Sequence, residues 1–251
     1  MATQAQKLSH DPDHFINRHG MTVVYKGELL RHRAYTRFLH WMYGIFFFLA
    51  LVSGFGIYMP WIFRWFTPLF GGGAMTRMLH PWFGLGFCFF FGLQALNWAG
   101  VMTWGPGDTE WMKRIKDYIT NRDTVEPSNV GFFNAGQKGM FWEIVAGCFA
   151  YVITGFIMWF PEIFGRWPVA ISYVIHDISA LIMLAGIFVH IYLSTIGEPG
   201  TFQAMTRGTV KEAWAWTHHP AWFKQATGRD PQQALEEARR KMSASSSAAD
   251  D

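Results

Sequence analysis

Four blocks of this chain are apolar on every side, and the polar residues are confined to the segments between and beyond them. The blocks are Phe38–Met59, His80–Trp104, Met140–Phe160 and Tyr173–Ile196. The first carries no charged residue, and the third and fourth carry one acid each, Glu143 and Asp177. A helix on a soluble core shows an apolar stripe and a polar face, whereas one that is hydrophobic all round is enclosed by protein or lipid. Each block is long enough, at 1.5 Å rise per residue, to cross about 30 Å of hydrocarbon. The pattern predicts an all-α protein, an integral membrane four-helix bundle. It divides the chain into an N-terminal extension over 1–37, a transmembrane domain over 38–196 and a C-terminal tail over 197–251.

The ends carry less information. Residues 1–20 are polar, and flexibility is expected there. Pro231–Met242 reads as a charged surface helix with Glu–Arg pairing, and Ser243–Asp251 is low-complexity, with disorder expected. No internal repeat stands out. A signal peptide is not expected, because residues 1–37 are polar and the first apolar block is too long for an h-region. Both cysteines, Cys88 and Cys148, fall mid-span, where they act as small apolar residues and say nothing of redox compartment.

A net charge of +3 is too weak to suggest a nucleic-acid partner, but the placement of the basic residues is informative. Counting alternate extramembrane segments, 18 of the 21 Lys and Arg lie on one side of the bundle and 3 on the other. The bias toward basic residues inside predicts that both termini are cytoplasmic. Trp41, Trp61, Trp82, Trp104, Trp142 and Trp159 sit near span ends, as an interfacial belt would require.

Four of the ten histidines lie inside the apolar blocks: His40, His80, His176 and His190. The other six (His10, His14, His19, His32, His218 and His219) fall in segments that read as polar tails. Ionisable side chains within a span are costly and usually functional. With both ends inside, His40 and His190 lie near the cytoplasmic face, and His80 and His176 near the outer face. His176 and His190 are 14 residues apart on one helix, so they share a face about 21 Å apart along the axis. Two matched pairs at two depths are what two bis-histidine haem b groups need.

Each candidate ligand also has a small residue one turn away on its own face, where a porphyrin needs a side chain missing: Gly44, Gly84, Ala180 and Gly186. Small residues are equally the ordinary material of membrane helix interfaces. Zinc fits less well, since it wants ligands gathered at one point. A haem-free anchor or proton-conducting bundle, with the histidines as proton relays, is the alternative from another class.

Several strings together resemble the cytochrome b (gamma) subunit of membrane-bound respiratory formate dehydrogenases. They are Leu39-His40-Trp41, Arg77-Met78-Leu79-His80-Pro81-Trp82-Phe83-Gly84, Asn134-Ala135-Gly136-Gln137-Lys138 with Phe141-Trp142, Ile175-His176, His190-Ile191-Tyr192, and His218-His219-Pro220 with Trp222. The resemblance runs from about residue 31 to 225. It implies two haem b groups with the pairing reached above, and a quinone (menaquinone or ubiquinone) site at Asn134, Gly136 and the ligand His190. Without the resemblance, Asn134–Lys138 reads as a turn and helix cap.

The implied partners are an iron–sulfur subunit and a molybdenum or tungsten catalytic subunit, and the implied location is the bacterial inner membrane. Electrons from formate oxidation would enter at the outer haem, cross to the inner one and reduce quinone near the cytoplasmic face. The chain shows no motif for a molybdenum or iron–sulfur site, so it is not expected to oxidise formate itself. A cytochrome b serving a hydrogenase or a sulfur-compound reductase is the nearest rival. The N-terminal extension is long for the family. Glu143 stands where the family need not have an acid, either as a proton relay or as a solvated side chain, and Asp177 points away from the His176 face.

Overall fold

The computed structural model describes residues 24–25, 27–116 and 129–247; the predicted flexible stretch 1–20 lies outside them. The chain forms two compact units, drawn differently from the three-part division that composition suggests. One is made of residues 35–100 and 139–192, the other of 1–34, 101–138 and 193–251.

The first unit holds the long helices. In chain order these are α1 (Ala34–Tyr58), the short α2 (Pro60–Phe63) and, after a 3₁₀ turn over Arg64–Phe70, α3 (Gly73–Trp98). Beyond α4 (Pro106–Lys113) of the other unit come α5 (Ala135–Trp159), the short α6 (Pro161–Phe164) and α7 (Arg166–Tyr192). Among the described residues four helices, α1, α3, α5 and α7, are long and apolar enough to cross a membrane. The protein is thus a helical membrane protein, as the apolar blocks predict. All four helices begin earlier than those blocks: α1 at Ala34 rather than Phe38, α3 at Gly73 rather than His80, α5 at Ala135 rather than Met140 and α7 at Arg166 rather than Tyr173. Arg37, Arg77 and Lys138 stand just before three of the blocks, yet such side chains lie along a helix end with their charge in the interface.

Its inside and outside are the reverse of a soluble bundle. Ser53, Thr76, Gln94, Thr154 and Ser172 are buried, while Leu96, Phe149, Phe188 and Phe89 are largely exposed. Hydrocarbon as solvent explains both, since polar groups find partners only inside the bundle. All six tryptophans assigned to the interfacial belt are exposed. Close approach comes from glycine: a Cβ on Gly86 would stand 2.4 Å from the Phe46 ring, and one on Gly147 2.5 Å from the Met183 methyl.

The structure also brings out a repeat that the sequence pattern hid. Ser53-Gly54-Phe55 ends α1 and is followed by Pro60, Ile62 and Phe63, while Thr154-Gly155-Phe156 ends α5 and is followed at the same offsets by Pro161, Ile163 and Phe164. Each proline opens a short helix at its first turn, where its missing N–H costs nothing. The dissimilar residues between these few matched positions are why the repeat does not stand out by eye.

The second unit is not the polar tail that composition suggests. It adds a small antiparallel sheet of β1 (Val24–Tyr25), β2 (Glu28–Leu30) and β3 (Thr209–Lys211), with Leu29 opposite Val24 and Val210. Around it lie α8 (Thr201–Thr206), α9 (Glu212–His218), α10 (Pro220–Thr227) and α11 (Pro231–Ser247). Leu29, Val210, Trp214, Ala215, Trp222 and Phe223 form its buried core. The charges of 207–241 mask this core in any composition window. The predicted charged helix is α11, which runs on through Ser243–Ser247 where disorder was expected; residues 248–251 lie outside the described part. Its pairing includes Arg240–Glu236, four residues apart, and Arg229–Glu237 at 3.2 Å.

Candidate functional site

The four intramembrane histidines meet as two pairs. His80 on α3 and His176 on α7 have ring centroids 6.2 Å apart, and His40 on α1 and His190 on α7 have centroids 6.1 Å apart. Thus α7 presents one imidazole to each pair, and α3 and α1 supply the facing rings.

The His80–His176 pair is held by hydroxyls. Ser53 Oγ lies 2.9 Å from His80 Nδ1, and Thr154 Oγ1 lies 2.8 Å from His176 Nδ1. A hydroxyl has a single hydrogen. That of Ser53 goes to the Leu49 carbonyl at 2.7 Å, and that of Thr154 to the Ala150 carbonyl at 2.6 Å. Each oxygen must therefore accept a hydrogen bond from the histidine, which fixes both rings as the Nδ1–H tautomer and leaves Nε2 with its lone pair. The adjacent glycines make room for the rings: a Cβ on Gly54 would stand 3.2 Å from His80 Cε1, and one on Gly155 3.9 Å from His176 Cε1. Tyr151, whose hydroxyl donates to the Ser179 carbonyl at 2.9 Å, flanks His176 with centroids 5.2 Å apart.

The other pair is held differently. His40 is flanked by Trp41 and Tyr43, at 5.4 and 5.1 Å between centroids. Its Nδ1 is buried with no hydrogen-bond partner among the described residues. His190 is exposed.

Of the small residues beside the histidines, Gly44 and Gly84 face open space, with nothing within 4 Å of where a Cβ would stand. Gly186 does not: the carboxyl of Glu143 lies against it, 2.5 Å from the corresponding position. Glu143 is therefore turned into the bundle toward the helix that carries His190, with one oxygen buried and unpartnered, rather than reaching out to solvent. Asp177 is half-buried.

Asn134 and Gly136 belong to the second unit, where Asn134 caps α5. Its Oδ1 accepts from the Gln137 N–H at 2.9 Å, and the Gln137 side chain accepts from the Asn134 N–H at 3.1 Å. This is a reciprocal capping box. With Oδ1 so used, the amide Nδ2 is the group that can donate to a carbonyl. A Cβ on Gly136 would come 3.0 Å from the Trp111 ring.

Sequence reasoning missed a buried cationic cluster in the second unit. Arg31, 4% exposed, stacks on Phe132 and Trp222, with its guanidinium carbon 4.0 and 4.5 Å from the ring centroids. Its Nη2 donates to the Phe132 carbonyl and lies 3.3 Å from His219 Nε2. His219 Nδ1 lies 2.7 Å from the Gly131 carbonyl, to which it must donate. Burial lowers Arg31 to about 9, still charged at neutral pH, and burial followed by the nearby Arg31 charge holds His219 well below the usual imidazole range. His32 is buried too, stacked on Phe133. The signal available in the sequence was the density of aromatics at Trp214, Trp216, Trp222 and Phe223 in a charged segment.

Residues 31–208 match the family model described as prokaryotic cytochrome b561. The chain belongs to the prokaryotic cytochrome b561 family. Its relatives include the cytochrome b556(Fdn) subunit of the nitrate-inducible formate dehydrogenase of Escherichia coli (strain K12), 29% identical over 83% of this chain and 96% of the relative. The cytochrome b556(fdo) subunit of formate dehydrogenase from the same strain is 30% identical over 80% of this chain and 94% of its own length. The formate dehydrogenase cytochrome b556 subunit of Haemophilus influenzae is 30% identical over 79% and 83%.

Membership of the cytochrome b561 family implies haem b, and the residues of this chain fit such a group. It offers facing imidazoles, two of them with Nε2 as the open nitrogen, and glycines that leave space beside His40 and His80. Among the described residues no three His, Cys, Asp or Glu side chains gather into a metal-binding cluster.

Proposed function

We propose that this cytochrome b561 family member is the dihaem membrane subunit of a formate dehydrogenase, passing electrons from an iron–sulfur subunit across the membrane to quinone. The observation that carries this reading is the pairing of four histidines at two levels on one shared helix, α7. Its formate dehydrogenase relatives supply the substrate side of the argument. Bound haem supplies one-electron transfer. The imidazoles of His80 and His176 would hold the outer haem and those of His40 and His190 the inner one. The side assignment rests on the basic residues, 18 against 3, which favour both termini on the cytoplasmic side, and the reading takes the membrane to be the bacterial inner membrane, as the resemblance to respiratory formate dehydrogenases implies.

Quinone reduction consumes two electrons and two protons. By the resemblance, the reading assigns roles in quinone binding to Asn134, Gly136 and His190, with Asn134 Nδ2 donating to a quinone carbonyl. Proton uptake from the cytoplasm, with formate oxidised outside, charges the membrane. The catalytic molybdenum or tungsten centre belongs to a partner subunit.

The direct experiment is purification of the complex from membranes, with haem counted per chain and followed optically. Two low-spin b haems per chain, reduced by formate and reoxidised by quinone, are expected. A chain that co-purifies with a hydrogenase or reductase large subunit, or without haem, would refute the reading.

Asn134→Asp isolates the quinone contact, because aspartate caps a helix as well as asparagine does but has no amide to donate. Quinone reduction is expected to slow about tenfold, the worth of about 1.4 kcal/mol for a lost hydrogen bond, while formate still reduces both haems. Wild-type quinone kinetics in that variant would leave Asn134 a helix cap alone.

A further inference from the structure

The two histidine pairs sit in unlike surroundings, and the difference has a direction. At His80–His176 both Nδ1–H groups donate to hydroxyls, each of which is itself donating to a helix carbonyl. At His40–His190 the Nδ1 of His40 has no partner. The same device occurs twice by the repeat noted above: Ser53-Gly54 receives the ring of the helix that follows it, and Thr154-Gly155 does likewise.

We infer that Ser53 and Thr154 are positioning residues that hold His80 and His176 with Nε2 toward the iron and set the potential of that haem below that of the haem at His40 and His190. The inference rests on the haem ligands proposed above. The physical chain is short. A histidine that donates its second N–H to an acceptor becomes a more basic ligand, and an acceptor polarised by its own donated bond strengthens that effect. A more basic imidazole favours the ferric over the ferrous state and so lowers the potential. The pair without such bonds is the easier one to reduce. Electrons arriving at His80–His176 are then drawn toward His40–His190, the direction that quinone reduction near the cytoplasmic face requires.

The test is a redox titration of the full complex in membranes, comparing Ser53→Ala and Thr154→Val with the hydroxyl-keeping Ser53→Thr and Thr154→Ser. His80→Ala and His40→Ala variants identify which of the two midpoints belongs to which pair. In Ser53→Ala and Thr154→Val the lower midpoint is expected to rise. The rise corresponds to about a tenfold change in the oxidised-to-reduced ratio at fixed potential, which is about 59 mV for a one-electron couple. The low-spin ferric signal of that haem should shift with it, and the higher midpoint should stay in place. The hydroxyl-keeping variants should restore both readouts.

If alanine or valine instead expels that haem, retention in Ser53→Thr and Thr154→Ser supports the positioning role, and its loss there overturns it. Two bound haems with unmoved midpoints, or movement of the higher midpoint alone, overturns the inference. Retention of both haems in His80→Ala would overturn the ligand assignment beneath it, a distinguishable result.

Discussion

Replacing His190 or His40 by alanine is expected to leave one haem per chain and to end quinone reduction. The two rings face each other at 6.1 Å between centroids, and alanine offers no nitrogen in place of either. The remaining pair, His80 and His176, stands on its own hydroxyl supports, so its haem should stay bound and still be reduced by formate through the partner subunits. The loss of turnover should exceed the roughly 10- to 100-fold typical of removing a partner outside the ligand sphere. Pyridine haemochrome counting, a reduced-minus-oxidised spectrum and quinone turnover on the purified complex provide the measurement. Two haems with unchanged spectra in His190→Ala would show that the pairing does not hold iron.

The second large effect lies in the other unit. His219→Ala should loosen the sheet and the α9–α10 core, because it leaves the Gly131 carbonyl without its donor and removes the acceptor facing a buried guanidinium. Each buried polar group left unsatisfied costs about 1–3 kcal/mol, so roughly 2–6 kcal/mol is expected for the two. His219→Gln, which carries both a donor and an acceptor, should recover part of it. Backbone hydrogen exchange over Glu28–Leu30 and Thr209–Lys211 is the suitable readout, since it reports the local opening of one unit.

The same histidine gives that unit a pH dependence. Its folded value lies below the ordinary 6.5, so the unfolded chain takes up the proton first. The stabilisation is complete above about pH 6.5 and declines as pH falls below it, by at most about 1.4 kcal/mol per pH unit for one proton. His219→Gln should flatten this dependence, and exchange that is equally pH-sensitive in both proteins would remove His219 as its cause.

Much of the architecture was legible along the chain for a simple reason: hydrocarbon as solvent demands long runs of apolar side chains, and a histidine among them stands out. The four spans and the two histidine levels followed from that. The helix starts did not; at α1, α3 and α5 the reason is that a basic residue near a helix end (Arg37, Arg77, Lys138) keeps its charge in the interface while its residue stays helical. The resemblance to cytochrome b subunits of formate dehydrogenases was also legible, through short strings such as Leu79-His80-Pro81 and Asn134–Lys138.

Only the tertiary structure decided which nitrogen His80 and His176 each turn toward a hydroxyl. Ser53 and Thr154 look like ordinary small span residues until α1 and α5 bring them within 3 Å of a ring. It likewise decided that Glu143 lies against Gly186, and that Arg31, 188 positions from His219, shares a buried cluster with it. Local pattern reports whether a side chain suits lipid, water or a helix cap. Which buried polar atoms find each other depends on contacts between segments far apart in the chain, and no window along it contains them.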